Sequence, residues 1–131
     1  MTQEPMLRIL ALVPFGMQEA MRSLAQAASG SLTACTSPDD LAEKSLEDSF
    51  AVALVPAGGL PPEEWWSVWG LLTSMDPRPS ILVYAEKSDF SMWAGALDAG
   101  VFDLIVAPFT VEKLREAILS ATSDFAQRCG A

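Results

Sequence analysis

Residues equipped for chemistry are sparse in this sequence, and the gaps narrow its function. The 131 residues include no histidine, which removes imidazole acid–base catalysis and histidine metal ligation. Cys35 and Cys129 lie far apart in the chain, so reduced thiols are expected rather than a disulfide. Cys35 falls within a predicted strand and reads as buried and inert. Three polar stretches follow predicted strands, where α/β proteins commonly hold ligands. Ala57-Gly58-Gly59 is glycine-rich but lacks the lysine and spacing of a phosphate loop, and reads as a flexible connection. Tyr84 ends a strand and has two readings: its ring fills a pocket while its hydroxyl finds a hydrogen bond, or it is plain core. Glu86 and Asp89 read as capping or solvated carboxylates rather than metal ligands. These residues imply no cofactor, no metal and no catalytic set, and the expectation is that the chain is not an enzyme.

The elements that position these residues alternate along the whole chain. Leu7 to Val13 is an apolar run bounded by Pro14, suited to a strand buried on both faces. Gly16 to Ser29 reads as a helix with Met17, Met21, Leu24 and Ala28 on one stripe, ended by Gly30. Leu32 to Cys35 is a short strand. Ser37-Pro38-Asp39-Asp40 then starts a second helix, with Ser37 as cap and Pro38 in the first helical position, running to about Asp48. Phe50 to Val55 is a strand stopped by Pro56. A third helix begins at Pro61-Pro62-Glu63-Glu64, with carboxylates near its positive end. Its core stripe is Trp65, Trp69 and Leu72, with Val68 one position off. Asp76-Pro77-Arg78-Pro79 is a rigid connection, and Ser80 to Ala85 a fourth strand. A fourth helix opens at Ser88-Asp89 and reaches Ala99, where Gly100 supplies the left-handed closing residue. Val101 to Val106 is the fifth strand. Thr110 caps a last helix whose Val111, Leu114, Ile118, Ala121 and Phe125 recur at helical spacing.

Five strand–helix pairs in strict alternation predict one α/β domain over residues 1–131, a parallel sheet with helices on both faces. Right-handed crossovers favour the flavodoxin-like (βα)5 arrangement with strand order 2-1-3-4-5. Half the residues are apolar, enough for a sizeable core, and the net charge is −9. That acidity argues against nucleic acid and anionic membrane as partners. The apolar run from Met6 to Phe15, interrupted by Arg8 and Pro14, is too short to span a bilayer and lacks a signal-peptide cleavage site. A cytoplasmic location is therefore expected.

Residues 94–109, AGALDAGVFDLIVAPF, carry a family resemblance. They are similar to the last third of a response-regulator receiver domain of bacterial two-component systems, in which the fifth strand follows a like motif and ends in Lys-Pro-Phe. Gly100, Asp103, Pro108 and Phe109 match, and Ala107 stands at the lysine. The resemblance extends over nearly the whole chain and implies where an aspartyl-phosphate site would lie. Its acidic, Mg²⁺-binding pair falls at Val13-Pro14. Its phosphoacceptor aspartate falls within Val55, Pro56 and Ala57. Its hydroxyl residue falls at Tyr84. None of these positions keeps the family's residue type. Mg²⁺ needs hard oxygen ligands, and a phosphoryl group in transfer needs a cation and donors. The resemblance therefore implies a degenerate receiver, a pseudo-receiver module of phosphorelay signal transduction that acts without phosphorylation.

Aromatic residues point to where such a module makes contact. Trp65, Trp66, Trp69 and Trp93 all lie on the third and fourth predicted helices, and Trp66 sits about 100° around from Trp65. Phe90, Met92 and Trp93 cannot all turn toward one sheet. Exposed aromatics mark partner sites more often than other surface. In receivers the surface of the fourth helix, fifth strand and last helix carries output. A protein partner or a homodimer is expected there, through Phe90, Met92 and Trp93, with Trp66 as the next candidate. A small-ligand-binding domain using the crevice at the strand carboxyl ends is the alternative.

Overall fold

A computed structural model describes residues 8–13, 32–47, 50–56, 62–85, 98, 100–107 and 110–128. Five parallel strands form one sheet in the order β2-β1-β3-β4-β5. They are β1 (Ile9–Leu12), β2 (Leu32–Cys35), β3 (Val52–Pro56), β4 (Ser80–Ala85) and β5 (Asp103–Val106). The described helices are α1 (Pro38–Glu47), α2 (Pro62–Ser74) and α3 (Val111–Arg128). The fold is the flavodoxin-like one that the alternation predicts. The helix expected over 16–29, and that over 88–99 apart from Asp98, lie outside the described residues. Among the described residues no helix is long and apolar enough to cross a membrane.

Two apolar layers explain why every central strand is an unbroken apolar run. On one face Ile9, Ala11, Val13, Leu54, Leu82, Tyr84 and Ile105 meet Leu114, Ile118 and Ala121 of α3. On the other face Leu10, Leu12, Ala53, Val55, Ile81 and Val83 meet Leu41 of α1 with Val68 and Leu72 of α2. Helices therefore lie on both faces, and the period-two alternation of each strand sorts its side chains between them.

The caps form as the sequence predicts. Ser37 Oγ accepts from Asp40 N at 3.2 Å, and Thr110 Oγ1 accepts from Lys113 N at 3.2 Å. Each hydroxyl satisfies an amide that the first helical turn leaves without an intrahelical partner. Gly100 adopts φ +100°, the left-handed conformation that favours glycine.

Several expected boundaries shift. β1 spans Ile9–Leu12 rather than Leu7 to Val13. Val13 lies just past it but still donates to Cys35 O at 2.7 Å. β3 begins at Val52 rather than Phe50 and includes Pro56. A proline is tolerated there because it is the last residue of the strand. β5 begins at Asp103, not Val101. Val101 is buried in the second layer, but the ladder register to β4 starts at Asp103. On α2 the core residues are Val68 and Leu72, while Trp65 and Trp69 are only partly buried at the flank. Of the two leucines of α1, Leu41 is fully buried and Leu46 is 87% exposed.

Cys35 is a free thiol, buried completely. Burial first, and the nearby Asp40 charge second, push its pKa up to about 11. It is a poor nucleophile at neutral pH. Cys129 lies outside the described residues.

Leu114 and Ile118 seat α3 on the sheet. Leu114→Ala should lower unfolding free energy by about 2–5 kcal/mol, the range for a truncated core leucine. Urea denaturation followed by circular dichroism measures it. A loss below about 0.5 kcal/mol, a surface-like value, would contradict the packing.

Candidate functional site at the strand carboxyl ends

In an open α/β sheet the ligand crevice lies beyond the carboxyl ends of the strands, where the chain order switches. Here the switch lies between β1 and β3. The side chains that reach this edge are Val13 after β1, Val55 and Pro56 on β3, Tyr84 on β4 and Ala107 after β5. The structure brings these predicted positions together at one end of the sheet. Pro14, Ala57, Glu86 and Asp89 lie outside the described residues.

Tyr84 dominates the edge. Pro56 of β3 is its partner in register, and β3 separates β4 from β1. The Tyr84 ring lies in the layer under α3 with Val13 and Leu54. Its hydroxyl reaches past the end of β3 and donates to Leu12 O. The ring is core, and the hydroxyl has a partner. Burial raises the phenol above its ordinary pKa of 10.0, because a phenolate in an apolar layer is poorly solvated.

Other groups from this chain occupy the neighbouring carbonyls. Trp65 Nε1 donates to Pro56 O at 3.0 Å. Lys113 Nζ donates to Val106 O at 2.6 Å. Ala107 N donates to Ala85 O at 2.9 Å. Trp65 and Lys113 are the residues that sequence reasoning missed. The signal for Trp65 was its indole N–H, which seeks an acceptor when its ring is partly buried. For Lys113 the signal was its place in the first turn of α3, one turn after the end of β5.

None of Val13, Val55, Pro56, Tyr84 and Ala107 carries a carboxylate, and the hydroxyl and indole at this edge both donate to backbone oxygen. Among the described residues no cluster of three or more Cys, Asp or Glu side chains could hold a metal ion. Val55 turns into the layer under α1 and α2 and is 2% exposed, so it presents no surface to a ligand.

Of the predicted contact residues, Phe90, Met92 and Trp93 lie outside the described residues. Trp66 is 59% exposed. Its ring meets Trp65 edge-on at 5.0 Å, and Trp65 stacks on Trp69 at 5.6 Å. The solvent-facing tryptophan is thus continuous with the one that caps β3.

No protein-family model matches this sequence, and neither does any curated protein. Solved structures do match in fold. The chain is similar to a CheY-like response-regulator receiver domain protein of Methanospirillum hungatei, at 14% identity and TM-score 0.74, covering 93% of this chain and 98% of that one. A signal receiver domain of an HD domain-containing protein of Pseudomonas fluorescens matches at 14% identity and TM-score 0.76, over 92% and 98% of the two chains. A Burkholderia pseudomallei protein described as pilus assembly-related matches at 18% identity and TM-score 0.73, over 94% of each chain. At these identities the likeness establishes a shared fold.

Tyr84 is the only tyrosine in the chain, so phenolate absorbance reports on this site alone. Its pKa is raised, so the stability it confers is complete below pH 10.0, its ordinary value. That stability is lost as pH rises through the higher folded value. An alkaline titration at 295 nm should show no phenolate near pH 10 in the folded protein, with ionisation delayed until the chain unfolds. A reversible midpoint near 10 with the fold intact would contradict a buried, bonded hydroxyl.

Proposed function

We propose that this chain is a receiver-like signalling module whose phosphoryl-transfer site is filled by its own side chains, so that it works through protein contact without phosphorylation. The observation that carries this reading is the Tyr84–Leu12 bond across the end of β3, beside Pro56. The positions that the resemblance assigns to the acidic pair are Val13 and Pro14. Those it assigns to the phosphoacceptor are Val55, Pro56 and Ala57. None of the five side chains can accept a phosphoryl group or ligate Mg²⁺. At the lysine position stands Ala107. Lys113 brings an ammonium to the end of β5, but it bonds Val106 O.

The shared fold with solved receiver domains supports assigning the module to two-component signalling. The neighbour described as pilus assembly-related is consistent with use of this fold beyond response regulators. The contact surface in this reading is the one that the resemblance assigns to the fourth predicted helix, β5 and α3; Leu119 of α3 is 62% exposed. A second copy of the chain or another protein docks there, in the cytoplasm.

Acetyl phosphate with Mg²⁺, followed by intact-mass measurement, tests the unphosphorylated state. The mass should stay unchanged. A stoichiometric phosphoryl adduct, removed by hydroxylamine, would overturn it. Light scattering tests the contact face with a Phe90→Ser, Met92→Ser double variant. Weakened self-association or partner binding with unchanged circular dichroism supports that face. Binding equal to wild type moves the face to Trp66.

A further inference from the structure

The opposite end of the sheet holds a cavity that the signalling reading does not use. It lies where the amino ends of β4 and β5 approach the carboxyl end of α3, and its volume is about 400 Å³. That size lies within the range of small-molecule sites. Its polar wall is Arg78, Ser80, Asp124 and Arg128, and Phe102 contributes an apolar wall.

A chain of hydrogen bonds builds the polar wall. Ser80 Oγ donates to Asp124 Oδ2 at 2.7 Å. Arg128 Nε donates to the same oxygen at 3.0 Å, and Arg128 Nη2 donates to Ser80 Oγ at 2.8 Å and to Arg78 O at 3.1 Å. Ser80 is 3% exposed. Its hydroxyl bond first, and Arg128 after it, hold the Asp124 carboxyl below its ordinary pKa of 3.8 against the opposing effect of burial. This carboxylate therefore stays charged at neutral pH.

Arg78 is differently placed. Its Nη2 reaches Gly100 O at 3.3 Å, and its guanidinium lies 5.9 Å from the centre of the Trp69 ring. A guanidinium has five N–H donors. Among the described residues Arg78 uses one of them, and Nη1 of Arg128 has no acceptor. A protein of net charge −9 with eight basic residues thus brings two arginines to one cavity. Among the described residues their donors outnumber the acceptors there.

We propose that this cavity binds a small organic oxyanion, a carboxylate or phosphate ester with an apolar body. Arg78 grips the oxyanion, Arg128 assists, and Phe102 lines the apolar part. Planar guanidinium forks match carboxylate and phosphate oxygens in pairs, a fit that lysine lacks. Asp124 restrains affinity, because it neutralises Arg128 at the cavity wall. The carboxyl end of α3 and its dipole act in the same direction, which leaves Arg78 as the principal anchor. This inference is independent of the module's signalling role.

The test titrates phenyl phosphate and, separately, benzoate into the whole chain. Tryptophan emission and the backbone amide resonances of Gly100, Val101 and Phe102 are the readouts. Trp69 under Arg78 makes the emission sensitive to that guanidinium. Saturable binding of either probe is expected, and the probe that binds tells phosphate from carboxylate recognition. Arg78→Lys keeps the charge and most of the arm, and should weaken binding by about tenfold through loss of the fork. Asp124→Asn should tighten binding by roughly threefold or more, because it removes the competing negative charge. A purely structural Asp124 would change the melting temperature and leave affinity alone. No saturable response to either probe up to about 20 mM would overturn the proposal, since weaker binding corresponds to only a few kcal/mol. Binding indifferent to Arg78→Lys would overturn it as well.

Discussion

A buried phenol needs a hydrogen-bond partner, and at the end of β4 that need organises the functional edge of the sheet. Left without an acceptor in an apolar layer, the Tyr84 hydroxyl would cost about 1–3 kcal/mol. With its ring under α3, the hydroxyl is satisfied across the end of β3, by Leu12 O. The side chain therefore links three strands at the point where an open α/β sheet usually opens to a ligand. Pro56 stands beneath it in register, without an N–H to offer. Trp65 then takes the Pro56 carbonyl from above.

The two ends of the sheet contrast. At the carboxyl end Tyr84, Trp65 and Lys113 each donate to a strand carbonyl. At the amino end the Ser80–Asp124–Arg128 cluster joins β4 to α3, and Arg78 leaves donors in excess. A fold can carry recognition at more than one end of its sheet, because function resides in sites rather than in the scaffold.

Much of the scaffold was legible in the sequence because its signals are local. Apolar runs with β-branched residues marked the strands, Ser37 and Thr110 marked helix starts, and Gly100 marked a left-handed turn. The resemblance located Val13, Val55, Pro56, Tyr84 and Ala107, and the sheet topology places these positions at its carboxyl end. The failures were those of range and angle. Val68 outranks Trp65 in the core because a few tens of degrees on a helix separate flank from centre, and a bulky indole prefers the rim where its N–H finds an acceptor. Leu46 is apolar but faces solvent, since one helix buries a single stripe. The bonds from Ser80 to Asp124 and Arg128 join residues more than forty positions apart. No local pattern encodes such a pairing. Lys113 was hidden for a related reason: the ammonium reaches the end of β5 from a different element than the family pattern would place it on.

Under the proposed function, the edge formed by Val13, Val55, Tyr84 and Ala107 does not respond to phosphoryl chemistry. Two-dimensional amide NMR in the presence of Mg²⁺ and beryllofluoride, a mimic of a carboxylate-bound phosphoryl group, addresses it most directly. The account predicts that the amides of Val13, Val55, Tyr84 and Ala107 keep their positions at saturating reagent. Saturable, coincident shifts at Val55 and Ala107 would show a working acceptor site and contradict it.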